Sequence, residues 1–163
     1  MTRYAISQPV IPLEAPRLLT GKGRYTDDLQ PSRHAHAVFL RSPHAHADIL
    51  YMDTSAAAAL PGVITVLTYN DYAADGLGHV VGISPLKQRD GSAMFRPPRP
   101  ALADGRVRHV GQVMAVVVAE TINQAKDAVE AVQVNYGELP ANIDTAIGNA
   151  PQTAALWEDC PNN

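Results

Sequence analysis

Two pairs of histidines are the residues of this chain whose types and spacing could do chemistry. His34 and His36, and again His44 and His46, are separated by one residue, so each pair would project from one face of a strand. Four imidazoles on two neighbouring strands could bind a metal such as zinc. Only Asp48 is available as the carboxylate that zinc-bound imidazoles usually contact. We therefore favour the alternative, in which these histidines are rim residues beside a turn.

Other patterns that mark catalysis are incomplete. Gly21-Lys22-Gly23 resembles part of a phosphate loop, but Pro16 occupies the position of its first glycine and no strand precedes it. The chain has no Gly-x-Ser-x-Gly motif, and its single cysteine, Cys160, lies in a polar tail without a nucleophile signature. Asp27-Asp28 is more typical of a solvated or backbone-capping pair than of an acid–base couple. From its residues alone, the chain is predicted to be non-catalytic in isolation.

Composition narrows the class of protein. The chain has 163 residues, of which 46% are hydrophobic, and this predicts one globular domain with or without tails. The net charge of -3 argues against nucleic acid and anionic membranes as partners. A single cysteine fits a reducing compartment. Without a membrane-length apolar run or a signal-peptide core, we expect a soluble, cytoplasmic protein.

The charges are unevenly distributed along the chain. Between Lys87 and Arg108, six basic residues and two acidic residues give a balance of +4. From Glu120 to the end, seven acidic residues and one lysine give a balance of -6. We favour two solvated faces of opposite sign over a basic loop that contacts a partner.

The best-patterned stretch, residues 107–140, predicts strand, helix and strand in succession. Val113–Ala119 is an unbroken apolar run rich in β-branched residues, which is typical of a strand covered on both faces. Thr121 and Gln124 match a capping box, so a helix should begin after Thr121. Alternation over 132–136 predicts the second strand. We interpret this stretch as a βαβ unit that acts as scaffold and contains no catalytic residue.

The first half of the chain contains the signals of three further strands. Residues 35–42 and 46–53 alternate in hydrophobicity and are predicted to pair as antiparallel strands around Pro43-His44. An alanine helix over 56–60 and a strand over 63–68 should follow. The element order β-β-α-β-(long loop)-β-α-β predicts an α+β domain with a mixed sheet and two main helices on one side.

The long loop, from Asp75 to Pro100, has no hydrophobic periodicity, and its apolar tip is Met94-Phe95. A loop of this length within a compact domain is usually functional or mobile. The expected organisation is an extended leader over 1–33, the α+β domain over 34–150 and a tail over 151–163.

Several segments, in order along the chain, resemble a known family. They are Arg17–Asp28, Arg41–Ala47, Ala59–Val63, Val107–Gln112, Ala115–Thr121 and Tyr136–Ala141. Together they resemble the N-terminal α/β-hammerhead domain of the molybdenum-binding large subunit in the xanthine dehydrogenase, aldehyde oxidase and carbon monoxide dehydrogenase family. The resemblance covers about residues 12–163. One departure is Val113, where the family often has proline; valine keeps its backbone N–H available for a strand pairing.

The resemblance implies a biochemical context. Such proteins hydroxylate aldehydes or N-heterocycles, or oxidise carbon monoxide, at a molybdenum bound to a pterin, and electrons leave through iron–sulfur clusters and FAD. The pterin-binding residues and the catalytic glutamate belong to the larger region after the hammerhead domain, so none is expected here. The chain is expected to be a fragment or a split piece. Its expected partners are the molybdopterin-binding region of the same large subunit and the iron–sulfur and FAD subunits, with self-association when it is isolated.

The resemblance also suggests a role for the long loop. Related enzymes use the corresponding loop near the substrate entrance, so Met94 and Phe95 are candidates for the wall of a substrate channel. An ordinary docking contact is the favoured alternative, because apolar side chains at loop tips often simply pack. The rival function for the whole chain is a free-standing binding or assembly module without molybdenum chemistry. The substrate is not indicated, because the residues that select it are expected elsewhere.

Overall fold

The computed structural model describes residues 11–83, 86–150 and 152–160. The chain divides into two compact units, Met1–His34 and Ala35–Asn163. In the part of the chain that is described, no helix has the length and apolar character needed to cross a bilayer.

The first unit contains little regular structure in its described part. Its elements are the helix α1 (Ala15–Leu19) and a 3-10 turn (Thr26–Asp28). The Asp28 carboxylate accepts a hydrogen bond from the Tyr25 backbone N–H at 2.8 Å, which agrees with the capping role favoured for the aspartate pair. Leu13 and Leu19 are almost fully exposed. A segment this short cannot bury its own apolar side chains.

The second unit is built from two three-stranded sheets. The strands are β1 (His36–Arg41), β2 (Ala47–Asp53), β3 (Val63–Thr68), β4 (Arg106–Val107), β5 (Val113–Ala119) and β6 (Gln133–Glu138). The helices are α2 (Ser55–Ala58), α3 (Tyr69–Ala74) and α4 (Ile122–Ala131). The first sheet has the order β1-β5-β3 and the second has the order β4-β2-β6. The α+β class and the predicted order of the main elements are confirmed, with the short elements α3 and β4 lying between them.

The predicted hairpin of β1 with β2 is wrong, because these strands lie in different sheets. Phe39 of β1 pairs with Val116 of β5, whereas Asp48 of β2 pairs with Gly137 of β6. The connection after β1 explains the difference. The Ser42 backbone N–H donates to the Gln112 carbonyl at 2.9 Å, so the chain remains bound to the β4–β5 turn before it enters the second sheet.

The predicted mixed sheet and βαβ unit are also corrected. Every strand pairing described is antiparallel, so neither sheet is mixed. Both edges of β5 are hydrogen-bonded, one to β1 and the other to β3. Because no edge of β5 is free, β6 cannot lie beside it and pairs with β2 instead. Strand, helix and strand follow one another as predicted, but the two strands belong to different sheets.

The two faces of β5 are covered to different extents. On the inner face, Ala115, Val117 and Ala119 are fully buried, and Val117 packs with Ala128 of α4. Met114 lies at the bulge opposite Leu40 and Arg41 and is buried in the core with Ala47 and Val107, whereas Val116 and Val118 on the outer face are half-buried. The expectation of a strand covered on both faces is therefore correct for the inner face alone.

Helix α4 begins where its sequence predicts. The Thr121 hydroxyl oxygen is 3.3 Å from the Gln124 backbone N–H, from which it accepts a hydrogen bond at the N-cap. A threonine oxygen here satisfies one of the backbone donors that a helix start leaves free. The buried side chains of α4 are Ala125 and Ala128, and their small size allows the helix axis to approach the sheet closely.

A shared core joins the two sheets. One cluster contains Ala47, Ala103, Val107 and Met114, and the other contains Ala57, Val117, Ala128 and Val132. Leu40, Met52 and Val134 pack against both clusters. These three side chains therefore connect the sheets, although the sheets share no strand pairing.

Candidate functional site

The loop tip that contains Met94 and Phe95 has a defined conformation. Lys87 and Ala93 form an isolated antiparallel bridge, and the Gln88 backbone N–H donates to the Ser92 carbonyl at 2.9 Å. This small turn precedes Met94, whose side chain is exposed, and Phe95, which is half-buried. The Phe95 ring centroid lies 6.4 Å from that of Trp157, with the planes tilted by 57°.

Trp157 connects the C-terminal segment to the domain. The Arg108 guanidinium carbon lies 3.8 Å from the centroid of the Trp157 ring, which is a cation–π arrangement. The Arg108 Nε–H also donates to the Leu156 carbonyl at 3.0 Å. The sequence pattern predicts only a tail here and gives no indication of this contact. The signal available is the chain's single tryptophan, which directly follows Leu156.

An ion pair joins β2 and β4 beside this contact. The Arg106 Nε–H donates to Asp48 at 2.5 Å, and the two residues are partners in the antiparallel pairing. This hydrogen bond lowers the pKa of the Asp48 carboxyl below its usual value. A Glu158 oxygen lies 3.9 Å from Arg106.

The side chain of Arg108 is half-buried. Burial lowers the pKa of the Arg108 guanidinium, and repulsion from Arg106 acts in the same direction. The turn that follows Arg108 is ordered by its own hydrogen bonds: the Gln112 side-chain oxygen accepts from the Arg108 backbone N–H at 2.7 Å. Gly111 lies in that turn at φ +81°, a conformation that glycine adopts without strain.

A cleft of about 550 Å³ adjoins this turn. Its basic lining residues are Arg41, Arg99, Arg108, His79 and His109, and its one acidic lining residue is Asp104. Proline rings, Leu156 and Trp157 form apolar parts of the wall. We call this the basic cleft.

The four paired histidines do not form one site. His34 lies in the first unit, with Nδ1 2.6 Å from the Pro31 carbonyl oxygen. The His44 ring packs on Tyr136 with centroids 4.5 Å apart. His46 is buried, and its Nδ1 is 2.8 Å from the Pro140 carbonyl. Among the described residues, no group of three or more His, Cys, Asp and Glu side chains lies together as a metal site.

Comparison with known proteins shows to which family this architecture belongs. Residues 20–140 match the family model described as the aldehyde oxidase and xanthine dehydrogenase a/b hammerhead domain. The chain belongs to this family. The recognition made from the sequence segments is thereby confirmed, and so is the hammerhead fold.

Two curated hammerhead-family relatives illustrate the likeness. The chain is 38% identical over 144 residues to the nicotine 6-hydroxylase large subunit of Paenarthrobacter nicotinovorans, covering 88% of this chain and 17% of that protein. It is 36% identical over 146 residues to the carbon monoxide dehydrogenase large chain of Hydrogenophaga pseudoflava, covering 90% of this chain and 17% of that protein. The chain therefore spans about one-sixth of the length of these relatives.

Solved structures agree with the family assignment. The Cu,Mo-CO dehydrogenase matches with a TM-score of 0.77 and 37% identity, covering 90% of this chain and 17% of that chain. Quinoline 2-oxidoreductase from Pseudomonas putida 86 matches with a TM-score of 0.74 and 41% identity, covering 90% of this chain and 18% of that chain.

The described residues do not fit an iron–sulfur cluster. Such clusters need several cysteine ligands, and the chain has one cysteine. The part of the chain that is described also lacks a clustered donor set for a metal. No chemical step through an iron–sulfur cluster is therefore assigned to these residues.

Because of the Asp48–Arg106 ion pair, we expect the difference in stability between the wild type and Asp48→Asn to depend on pH. The folded-state pKa of Asp48 is lowered. The stabilisation of the fold by the Asp48 charge is therefore complete above the unfolded pKa of about 4 and is lost as pH falls through the folded pKa. Since about a third of each side chain is exposed, Asp48→Asn should lower the free energy of unfolding by less than about 1 kcal/mol at pH 7.

Urea unfolding at pH 7 and at pH 2.5 measures this difference. The difference in the free energy of unfolding between the wild type and Asp48→Asn should decrease at the lower pH. Asp127→Asn, at an exposed position on α4, serves as the control. A gap that widens as pH falls would show that the Asp48 charge does not stabilise the fold.

Proposed function

We propose that this chain is a non-catalytic N-terminal domain, as a fragment or split piece, of a molybdenum hydroxylase or carbon monoxide dehydrogenase-type oxidoreductase large subunit. It would supply structural packing and subunit contacts. Support comes from the hammerhead family membership and from relatives in which about five-sixths of the length lies outside the matched region.

The observation that carries this proposal is the outer face of the first sheet. Phe39, Val116 and Leu67 occupy one row across β1, β5 and β3. Phe39 is 48% exposed and Leu67 is 38% exposed. The solvated face of an antiparallel sheet usually bears polar side chains, and contiguous exposed apolar surface marks an interaction site. We infer that the rest of the large subunit covers this face.

The same proposal defines the partners and cofactors. The direct partner is the molybdopterin-binding region of the same large subunit, which would bind the molybdenum cofactor. Iron–sulfur clusters and FAD would belong to partner subunits or domains. One solved relative is a Cu,Mo-CO dehydrogenase, which supports molybdenum use in the parent enzyme. The substrate is not assigned.

For the loop tip, the contact of Phe95 with Trp157 supports a packing role for Phe95. The exposed side chain of Met94 remains a candidate for the wall of a substrate channel.

A free-standing binding or assembly module is the alternative function for the whole chain, since the apolar face could equally serve self-association. A neighbouring reading frame with a molybdopterin-binding region, beside iron–sulfur and FAD subunits, would favour the large-subunit assignment, and its absence would favour the module.

Substitution of Phe39 tests the proposed docking face. Co-expression of the chain with the remainder of the large subunit should give a complex that Phe39→Asp weakens at least about tenfold, because a carboxylate would lose its hydration within an apolar interface. Ile143→Asp, at a site where the isoleucine is 88% exposed, is the matched control. Circular dichroism should show that both variants fold. Equal recovery of both complexes would contradict the proposed docking face.

Substitution of Met94 tests the channel assignment separately. In the assembled enzyme, Met94→Ala should change the KM for substrate while kcat stays within about twofold, because the residue would contact substrate during entry and not during reaction. Ile83→Ala, on the same loop with its side chain 95% exposed, is the control. An unchanged KM would leave Met94 as a docking residue only.

A further inference from the structure

The basic cleft combines cationic groups with apolar walls. Arg41, Arg99 and Arg108 line it together with Pro98 and Trp157. Its volume of about 550 Å³ lies within the range of small-molecule pockets, about 300–1,000 Å³. The composition of the wall therefore suits a ligand that has one anionic group and a carbon skeleton.

Arg108 is pre-oriented at this cleft. Its Nε–H donates to the Leu156 carbonyl, and its planar guanidinium lies over the Trp157 ring. Within the described residues, its two terminal Nη groups have no hydrogen-bond partner. Burial and the neighbouring Arg106 lower the pKa of the Arg108 guanidinium, whereas Asp104, Glu158 and Asp48 raise it, so an anion bound at the Nη groups would add to the interactions that favour the charged form. A guanidinium whose rotamer is already fixed loses little entropy on binding.

The other two arginines differ in how they are held. Arg41 donates from Nη1 to the Gly111 carbonyl at 2.9 Å, which orients its side chain along the β4–β5 turn. Arg99 forms no ion pair with the described residues. The acidic lining residue, Asp104, interacts with Tyr69, whose pKa is raised by burial and by that carboxylate. Three guanidinium groups thus line the cleft with one carboxylate, which leaves a net positive charge.

Guanidinium groups recognise carboxylates and phosphates through paired hydrogen bonds. We propose that the basic cleft binds a small organic anion whose carboxylate or phosphate group contacts Arg99 and Arg108. The carbon skeleton of the ligand packs against the proline rings and Leu156. This inference does not depend on molybdenum chemistry or on the docking face of the first sheet.

The single tryptophan makes this binding directly measurable. Trp157 is the chain's one tryptophan and lines the basic cleft, so its fluorescence reports on occupancy. The purified 163-residue chain is titrated with hexanoate, hexyl phosphate, inorganic phosphate and neutral hexanol at constant ionic strength. Hexanoate or hexyl phosphate should change the fluorescence saturably, inorganic phosphate should bind more weakly, and hexanol should have no saturable effect. The stronger of the first two identifies the preferred anionic group.

Variants separate specific recognition from general charge attraction. Arg99→Gln should weaken the binding of the preferred anion at least about tenfold, and Arg99→Lys should weaken it less because it keeps the charge. Lys126→Gln, an equal charge change on α4 outside the cleft, should leave affinity unchanged. Circular dichroism checks the fold of each variant. Equal effects of hexanol and hexanoate, or an unchanged affinity in Arg99→Gln, would overturn the proposal.

The assembled large subunit provides the last comparison. A free small-molecule ligand should bind there with affinity within about threefold of that for the isolated chain. If binding occurs in the isolated chain and is lost on assembly, the cleft is instead filled by an acidic segment of the subunit, and the proposal of a small organic anion is wrong.

Discussion

The pairing of both edges of β5 is the constraint on which the rest of the second unit depends. Because β1 and β3 satisfy both rows of its backbone hydrogen bonds, the chain that leaves α4 must form β6 in another sheet. The inner face of β5 is buried against alanines of α4. Leu40, Met52 and Val134 then pack against both clusters of the core, so packing alone joins sheets that share no strand pairing.

This arrangement determines which surfaces remain available. Covering the inner face of the first sheet with α4 leaves its outer face apolar and exposed, which is unfavourable for a chain in water and favourable for a domain within a larger subunit. At the other end of β5, the turn after β4 places Arg108 against Trp157 and beside Arg41. The long loop and the C-terminal segment meet at this point through Phe95 and Trp157.

Sequence reasoning succeeded where the signals are local. The β-branched run of β5, the threonine N-cap of α4 and the order of the main elements follow from neighbouring residues, and several motifs in order identified the hammerhead family. It failed where partners are distant along the chain. Hydrophobic alternation in β1 and β2 predicts strands but not their pairing, so the hairpin at Pro43-His44 was wrong. The contacts of Trp157 with Phe95 and Arg108 join segments about 50 to 60 positions apart, and no periodicity encodes them.

The central claim is that the outer face of the first sheet is covered in a larger subunit. Hydroxyl-radical footprinting with mass spectrometry measures the solvent accessibility of Phe39 and Leu67 in the isolated chain and in its complex with the remaining large subunit. The account predicts that oxidation of both side chains falls severalfold in the complex, while that of exposed Ile143 does not change. Equal oxidation of Phe39 and Leu67 in the two states would contradict it.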